Sequence, residues 1–168
     1  MVMFWVNQKY WQESGVPLAS FGVLLAGYGL ISGVAGRFAA LGETRYGRRP
    51  LLTAVGVLPI IAYVGMASFR NWGGILVGVL APVGRGLGEV LFLKALNERI
   101  SSAFRATVMS MANLGIRASF CLLGPLVGYG IDAWGLPSVL SALGILYSVA
   151  FVVLLLPLVL SPADRLRS

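Results

Sequence analysis

Three runs without a single charged side chain, residues 14–36, 50–69 and 133–163, set the solvent of this chain before any motif is read. Each is at least as long as the roughly 20 residues an α-helix needs to cross the hydrocarbon core of a bilayer. In lipid every backbone N–H and C=O must be satisfied within the segment itself, which makes helices of such runs. Residues 72–96 and 106–131 have the same length but carry charges in their interiors, so they are expected to face protein or water instead of lipid. Composition agrees, with 58% hydrophobic and 11% charged residues, far from the balance of a soluble domain. The chain reads as an all-α polytopic membrane protein. It forms one transmembrane helical domain over residues 1–168, with spans at about 17–39, 50–69, 72–96, 106–131 and 135–160.

A net charge of +7 is compatible with nucleic-acid binding, but its distribution reports orientation instead. Alternate connections hold Arg45, Arg48 and Arg49, then Lys94, Arg99 and Arg105, then Arg165 and Arg167, while the other side offers Lys9 and Arg70. Eight against two is a positive-inside bias. Residues 43–50, 97–105 and the C-terminus are therefore expected in the cytoplasm, with the turns at Asn71 and 132–135 outside. Five crossings then place the N-terminus outside. Lipid is the expected surrounding, and no nucleic acid is expected.

Residues 1–6 are apolar and aromatic but too short to span, and they lack the basic start and small-residue cleavage site of a signal peptide. They read as the last turns of a sixth helix, with Trp5, Tyr10 and Trp11 suited to an interfacial aromatic belt. A short external peptide is the alternative.

Enzyme chemistry finds little to work with. Cys121 is alone in an apolar stretch and histidine is absent, so a disulfide framework, a thiolate or His-ligated metal site and a His-based triad are all excluded. Gly84-Arg85-Gly86-Leu87-Gly88 has the look of a phosphate loop but follows no strand and precedes no Lys-Ser/Thr. The reading is a non-enzyme with no cofactor and no metal. Glycine serves packing instead: Gly29/Gly33, Gly74/Gly78, Gly84/Gly88 and Gly124/Gly128 each put two small residues on one helix face. Pro59, Pro82 and Pro125 each remove a backbone hydrogen bond inside a span and can bend it.

Three stretches carry a family resemblance. Arg45-Tyr46-Gly47-Arg48-Arg49 lies between the first and second spans; Leu96-Asn97-Glu98-Arg99, followed by Phe104-Arg105-Ala106-Thr107 and Ser110, enters the fourth span from the cytoplasm; and Gly124-Pro125-Leu126-Val127-Gly128 lies near that span's outer end. In these the chain resembles the C-terminal half of a major facilitator superfamily transporter, matching its last five helices and the end of the one before. The family's loop motif reads roughly Gly-x-Leu-Ala-Asp-Arg-x-Gly-Arg-Arg. Here Thr44 occupies the Asp position, Glu43 stands one residue early and Ala40 replaces the leading Gly. The resemblance implies a twelve-helix carrier whose two six-helix halves rock about a central site. It also implies a partner, the missing N-terminal half, a small-molecule substrate, and residence in the plasma (inner) membrane.

The interior charges carry the mechanistic expectation, since each costs about 2.5–3.5 kcal/mol at a helix centre on insertion scales. At 1.5 Å per residue from the cytoplasmic ends, Arg85 lies roughly 18 Å deep, Arg117 roughly 17 Å and Glu89 roughly 12 Å. Arg85 and Glu89 are also i, i+4 on one face. Three roles follow from these residues and stay open. Glu89 bridges both arginines and locks two helices. Arg117, helped by Arg85, holds an anionic substrate group through a bidentate guanidinium contact. Or Glu89 is a coupling site for a proton. Asn113, one turn before Arg117, and Tyr28 are candidate polar cavity liners, while Arg37 is near enough to the cytoplasm to snorkel. The functional expectation is one part of a secondary transporter of small solutes; the alternative is a non-transporting accessory or assembly subunit.

Overall fold

The computed structural model describes residues 2–69 and 71–160, and among them every regular element is helical. Helix α1 covers Val2–Glu13. A short 3-10 turn, Leu18–Ser20, leads into α2, Phe21–Tyr46. Then come α3 (Arg48–Ser68), α4 (Trp72–Gly78), α5 (Leu80–Arg99), α6 (Ser102–Trp134) and α7 (Leu136–Ala150). A π-helical turn at Phe151–Leu155 joins α7 to α8, Leu156–Leu160. Five spans, Leu18–Tyr46, Arg48–Ser68, Trp72–Arg99, Ser102–Trp134 and Leu136–Leu160, are long and apolar enough to cross a membrane. Arg70, Arg165 and Arg167, which contribute to the charge asymmetry, lie outside the described residues.

The connections are shorter than the sequence pattern suggests, because the helices run on through their charged ends. The expected 43–50 loop is a single residue, Gly47, at φ 80°. That left-handed conformation suits glycine, which carries no Cβ to obstruct it. Gly135 makes the same one-residue turn, also at φ 80°, between α6 and α7.

Prolines explain the irregular spans. The third span is irregular at Val79, between α4 and α5, though Val79 keeps helical dihedrals; Pro82, three residues on, has no N–H to give the Gly78 carbonyl and its ring crowds that turn. Pro157 stands two residues past the π-helical segment, where a widened turn accommodates a lost i→i−4 bond. Pro59 and Pro125 lie inside continuous helices.

The bundle is held by three main contacts: α2 with α5, α3 with α7, and α3 with α5. Where α2 crosses α5 the backbones nearly touch, since a Cβ on Gly86 would collide with the Ser32 carbonyl and one on Gly36 would meet Val90 Cγ2 at 3.0 Å. Gly84 and Gly88 lie against Pro59 and Val55 of α3, and Gly78 against Met66 and Tyr28, so these pairs pack as expected. Gly29, Gly33 and Gly128 differ: nothing lies within 4 Å of where their Cβ atoms would be, and Gly124 meets only Phe120 of its own helix. Their shared face is present but unoccupied by a neighbouring helix of this chain.

The larger apolar cluster joins Trp11, Tyr10, Tyr63, Met66, Ile75 and Leu140. Tyr10 and Trp11 are therefore core residues, not members of a lipid-facing belt. The Tyr10 hydroxyl donates to the Phe69 carbonyl, and Trp11 meets Phe21 and Tyr28 edge-on at 5.5 and 5.2 Å. Trp5 alone of the three is exposed. The two spans with interior charges also part company. The third is the best packed, with 44% of its apolar window buried, whereas the fourth, α6, has 6%.

Candidate functional site

At the α2–α3 junction Glu43 and Arg45 each have a defined side-chain contact. Glu43 accepts from Lys94 Nζ at 2.8 Å, tying the end of α2 to α5, and Lys94 also lies 3.9 Å from Glu98. Thr44, which holds the motif's acidic position, donates to its own helix at Leu41. The acidic group of this junction is thus Glu43, and its partner is a lysine from α5. Arg45 lies over the Tyr46 ring at 5.6 Å, and the Arg49 carbonyl accepts from Thr53. Arg48 opens α3 just after Gly47.

Deeper in the bundle a cavity of about 390 Å³ opens between α1, α2, α3, α5 and α7, within the size range of small-molecule sites. Helix α5 supplies Pro82, Gly84, Arg85, Gly88 and Glu89; α2 supplies Tyr28 and Gly29; α3 supplies Pro59 and Tyr63; α1 adds Phe4 and Asn7; and α7 adds Tyr147. The α4–α5 irregularity sets its geometry, because the helix continues past Val79 and presents residues 81–89 to the space.

Arg85 Nε donates to Glu89 Oε1 at 2.8 Å, the i, i+4 pair that the spacing predicts. Both side chains remain open, 66% and 57% exposed, so the other guanidinium N–H groups and the second carboxylate oxygen stay free to act. Arg85 and Glu89 also border a shallower groove along Gly29, Gly33 and Gly36 of α2. The unpacked glycines of α2 therefore keep the approach to the ion pair clear. Tyr28 donates its hydroxyl to the Ile75 carbonyl at 3.1 Å and so fixes α2 against α4.

One cavity residue has unmet hydrogen-bonding capacity: Asn7, 3% exposed, has a buried carboxamide oxygen with no partner. An unsatisfied buried polar atom costs about 1–3 kcal/mol. Tyr63 packs against Tyr147 with ring centroids 5.2 Å apart.

Arg117 and Asn113 stand apart from this site. Both are exposed on α6, and neither lines the cavity or the crevice between α1, α6 and α7. Among the described residues no carboxylate lies within ion-pairing distance of Arg117. Of the three roles left open by the sequence, the Glu89 bridge to both arginines is not formed: among the described residues Glu89 pairs with Arg85. Depth along two helices matched, but their faces do not meet. The structure thus joins Tyr28, Arg85 and Glu89, excludes Asn113 and Arg117, and adds Asn7, Tyr63 and Tyr147. A hydroxyl at Tyr63, in the middle of a charge-free run, is the one signal of these additions that the sequence carries.

No group of His, Cys, Asp and Glu that could hold a metal ion occurs among the described residues. The chain is an all-α polytopic membrane protein with five helices able to span a bilayer. No protein-family model matches it, and neither does any curated protein or solved structure.

Proposed function

We propose that this chain is the cavity-bearing half of a secondary active transporter that moves a small solute across the plasma (inner) membrane by alternating access. The observation that carries the reading is the Arg85–Glu89 pair, open to a mid-bundle cavity on a span whose helix is irregular at Val79. Discontinuous helices beside midplane sites are a recurrent device of secondary transporters. An ion pair at that depth is costly to maintain without a use. Flux needs a second bundle to move against, and the bare faces of α2 and α6 are suited to meet one. The family resemblance points the same way, and the distribution of Lys and Arg suits a cytoplasmic C-terminus.

The accessory-subunit reading draws support from one feature, the exposed Arg117 on a helix with 6% of its apolar window buried, which would suit a docking face. The DNA immediately upstream of the first codon separates the two. Further apolar spans there, and solute flux in proteoliposomes that Glu89→Gln abolishes once those spans are restored, support the carrier. An upstream region without such spans, with a chain that inserts but moves no solute, overturns it in favour of the subunit.

A further inference from the structure

The charged residues lining the central cavity are Arg85 and Glu89, so its walls sum to zero charge. That argues against a net anion, since a lone charge taken from water into such a site is left uncompensated. What remains after Arg85 and Glu89 have bonded to each other is one of each kind of capacity. The guanidinium has N–H donors beyond Nε, and the carboxylate has a second oxygen that only accepts. Just beneath this wall Asn7 holds a carboxamide oxygen without a partner, and Tyr63 packs its ring against Tyr147. Phe4, Tyr28, Tyr63 and Tyr147 make the remaining surface largely aromatic, and ring faces attract both apolar groups and ammonium.

We propose that this cavity binds a zwitterion with an apolar, aromatic body: its carboxylate on Arg85, its ammonium on Glu89, and its body against the tyrosine rings. The proposal rests on reading the cavity as a solute site and specifies what enters it. Each charge of such a solute meets an opposite one, and the site remains neutral when filled. An anion of the same size would meet the free Arg85 N–H groups but bring no cation to Glu89, so the filled site would carry a net negative charge in apolar surroundings, which is the expensive outcome.

The test uses the full 168-residue chain in lipid nanodiscs and three probes with the same ring and nearly the same length: phenylalanine, 3-phenylpropanoate and 2-phenylethylamine. Saturable binding of labelled phenylalanine is expected, with the two singly charged analogues competing at least about tenfold more weakly. Glu89→Gln should reverse the order between phenylalanine and the anion, and Arg85→Gln should do so for the amine. A purely structural ion pair would weaken all three probes together. The wild-type comparison stands even if a variant does not fold. Absence of saturable phenylalanine binding, or tighter binding of the anion to the wild type, overturns the proposal. Binding without flux in the completed carrier would instead count against transport alone.

Discussion

Lys94 and Glu43, fifty-one positions apart in sequence, meet at 2.8 Å and couple the charged ends of α2 and α5. The pair sits at the end of the tightest helix crossing in the bundle, where Ser32 and Gly86 bring two backbones together. Glu43 is largely covered, with its side chain 14% exposed, and Lys94 is half open. Either single charge reversal, Glu43→Lys or Lys94→Glu, should lower the melting temperature in detergent. The double reversal should recover most of the loss, because the attraction is restored with its sign exchanged. High salt should narrow the differences.

The glycines of α2 and α5 should respond unequally to a single methyl group. Gly86→Ala places a Cβ against the Ser32 carbonyl and should destabilise by about 1–3 kcal/mol through forced separation of the helices. Gly33→Ala meets open space and should leave the unfolding midpoint unchanged or raise it slightly, since alanine favours the helix. Equal effects at the two positions would remove the α2–α5 crossing from the account of stability.

Arg117 should behave as a cost to insertion of α6. With no carboxylate in reach, Arg117→Leu should improve apparent insertion of this span by about 2.5–3.5 kcal/mol in a glycosylation-mapping assay. The effects of Arg117→Ala and Glu89→Ala on stability should simply add, as for distant sites. Strong coupling between them would show that the two residues do meet in the membrane.

Orientation follows from the arginine distribution. In a Cys121→Ser background, a cysteine at Ser138 should react with a membrane-impermeant maleimide from outside intact cells, and a C-terminal reporter should be active in the cytoplasm. Labelling of Ser138→Cys only after permeabilisation would reverse the topology.

The spans were legible because a charge-free run of sufficient length has one solution in lipid. Their ends were not, and the reason is visible in α2, which continues past Arg37 and Glu43 to Tyr46. A charge marks where a helix leaves hydrocarbon, not where its hydrogen bonds stop. Arg85 and Glu89 could be paired from spacing alone, since i and i+4 share a face on any helix. Arg117 shows the limit of that method: counting residues gives depth, one coordinate of three, and says nothing of which helix lies alongside. Trp11 shows a second limit, because an aromatic ring near a span's end suits an interface and a core equally well, and only the presence of Phe21 and Tyr28 decides.

The irregularity at Val79 has a mechanical consequence. An intact helix resists bending because each degree of tilt lengthens a hydrogen bond that then has to be given up. At this point Pro82 has already withdrawn the donor that Gly78 would need, so fewer bonds oppose a change of tilt, although Val79 still donates to Leu76 and accepts from Val83. The segments on either side, Trp72–Gly78 and Leu80–Arg99, form two stiff rods on a preformed joint. The rod that carries Arg85 and Glu89 is the one gripped by α2 and α3 at Gly84, Gly86 and Gly88, so the joint lets the shorter Trp72–Gly78 rod change its tilt against it.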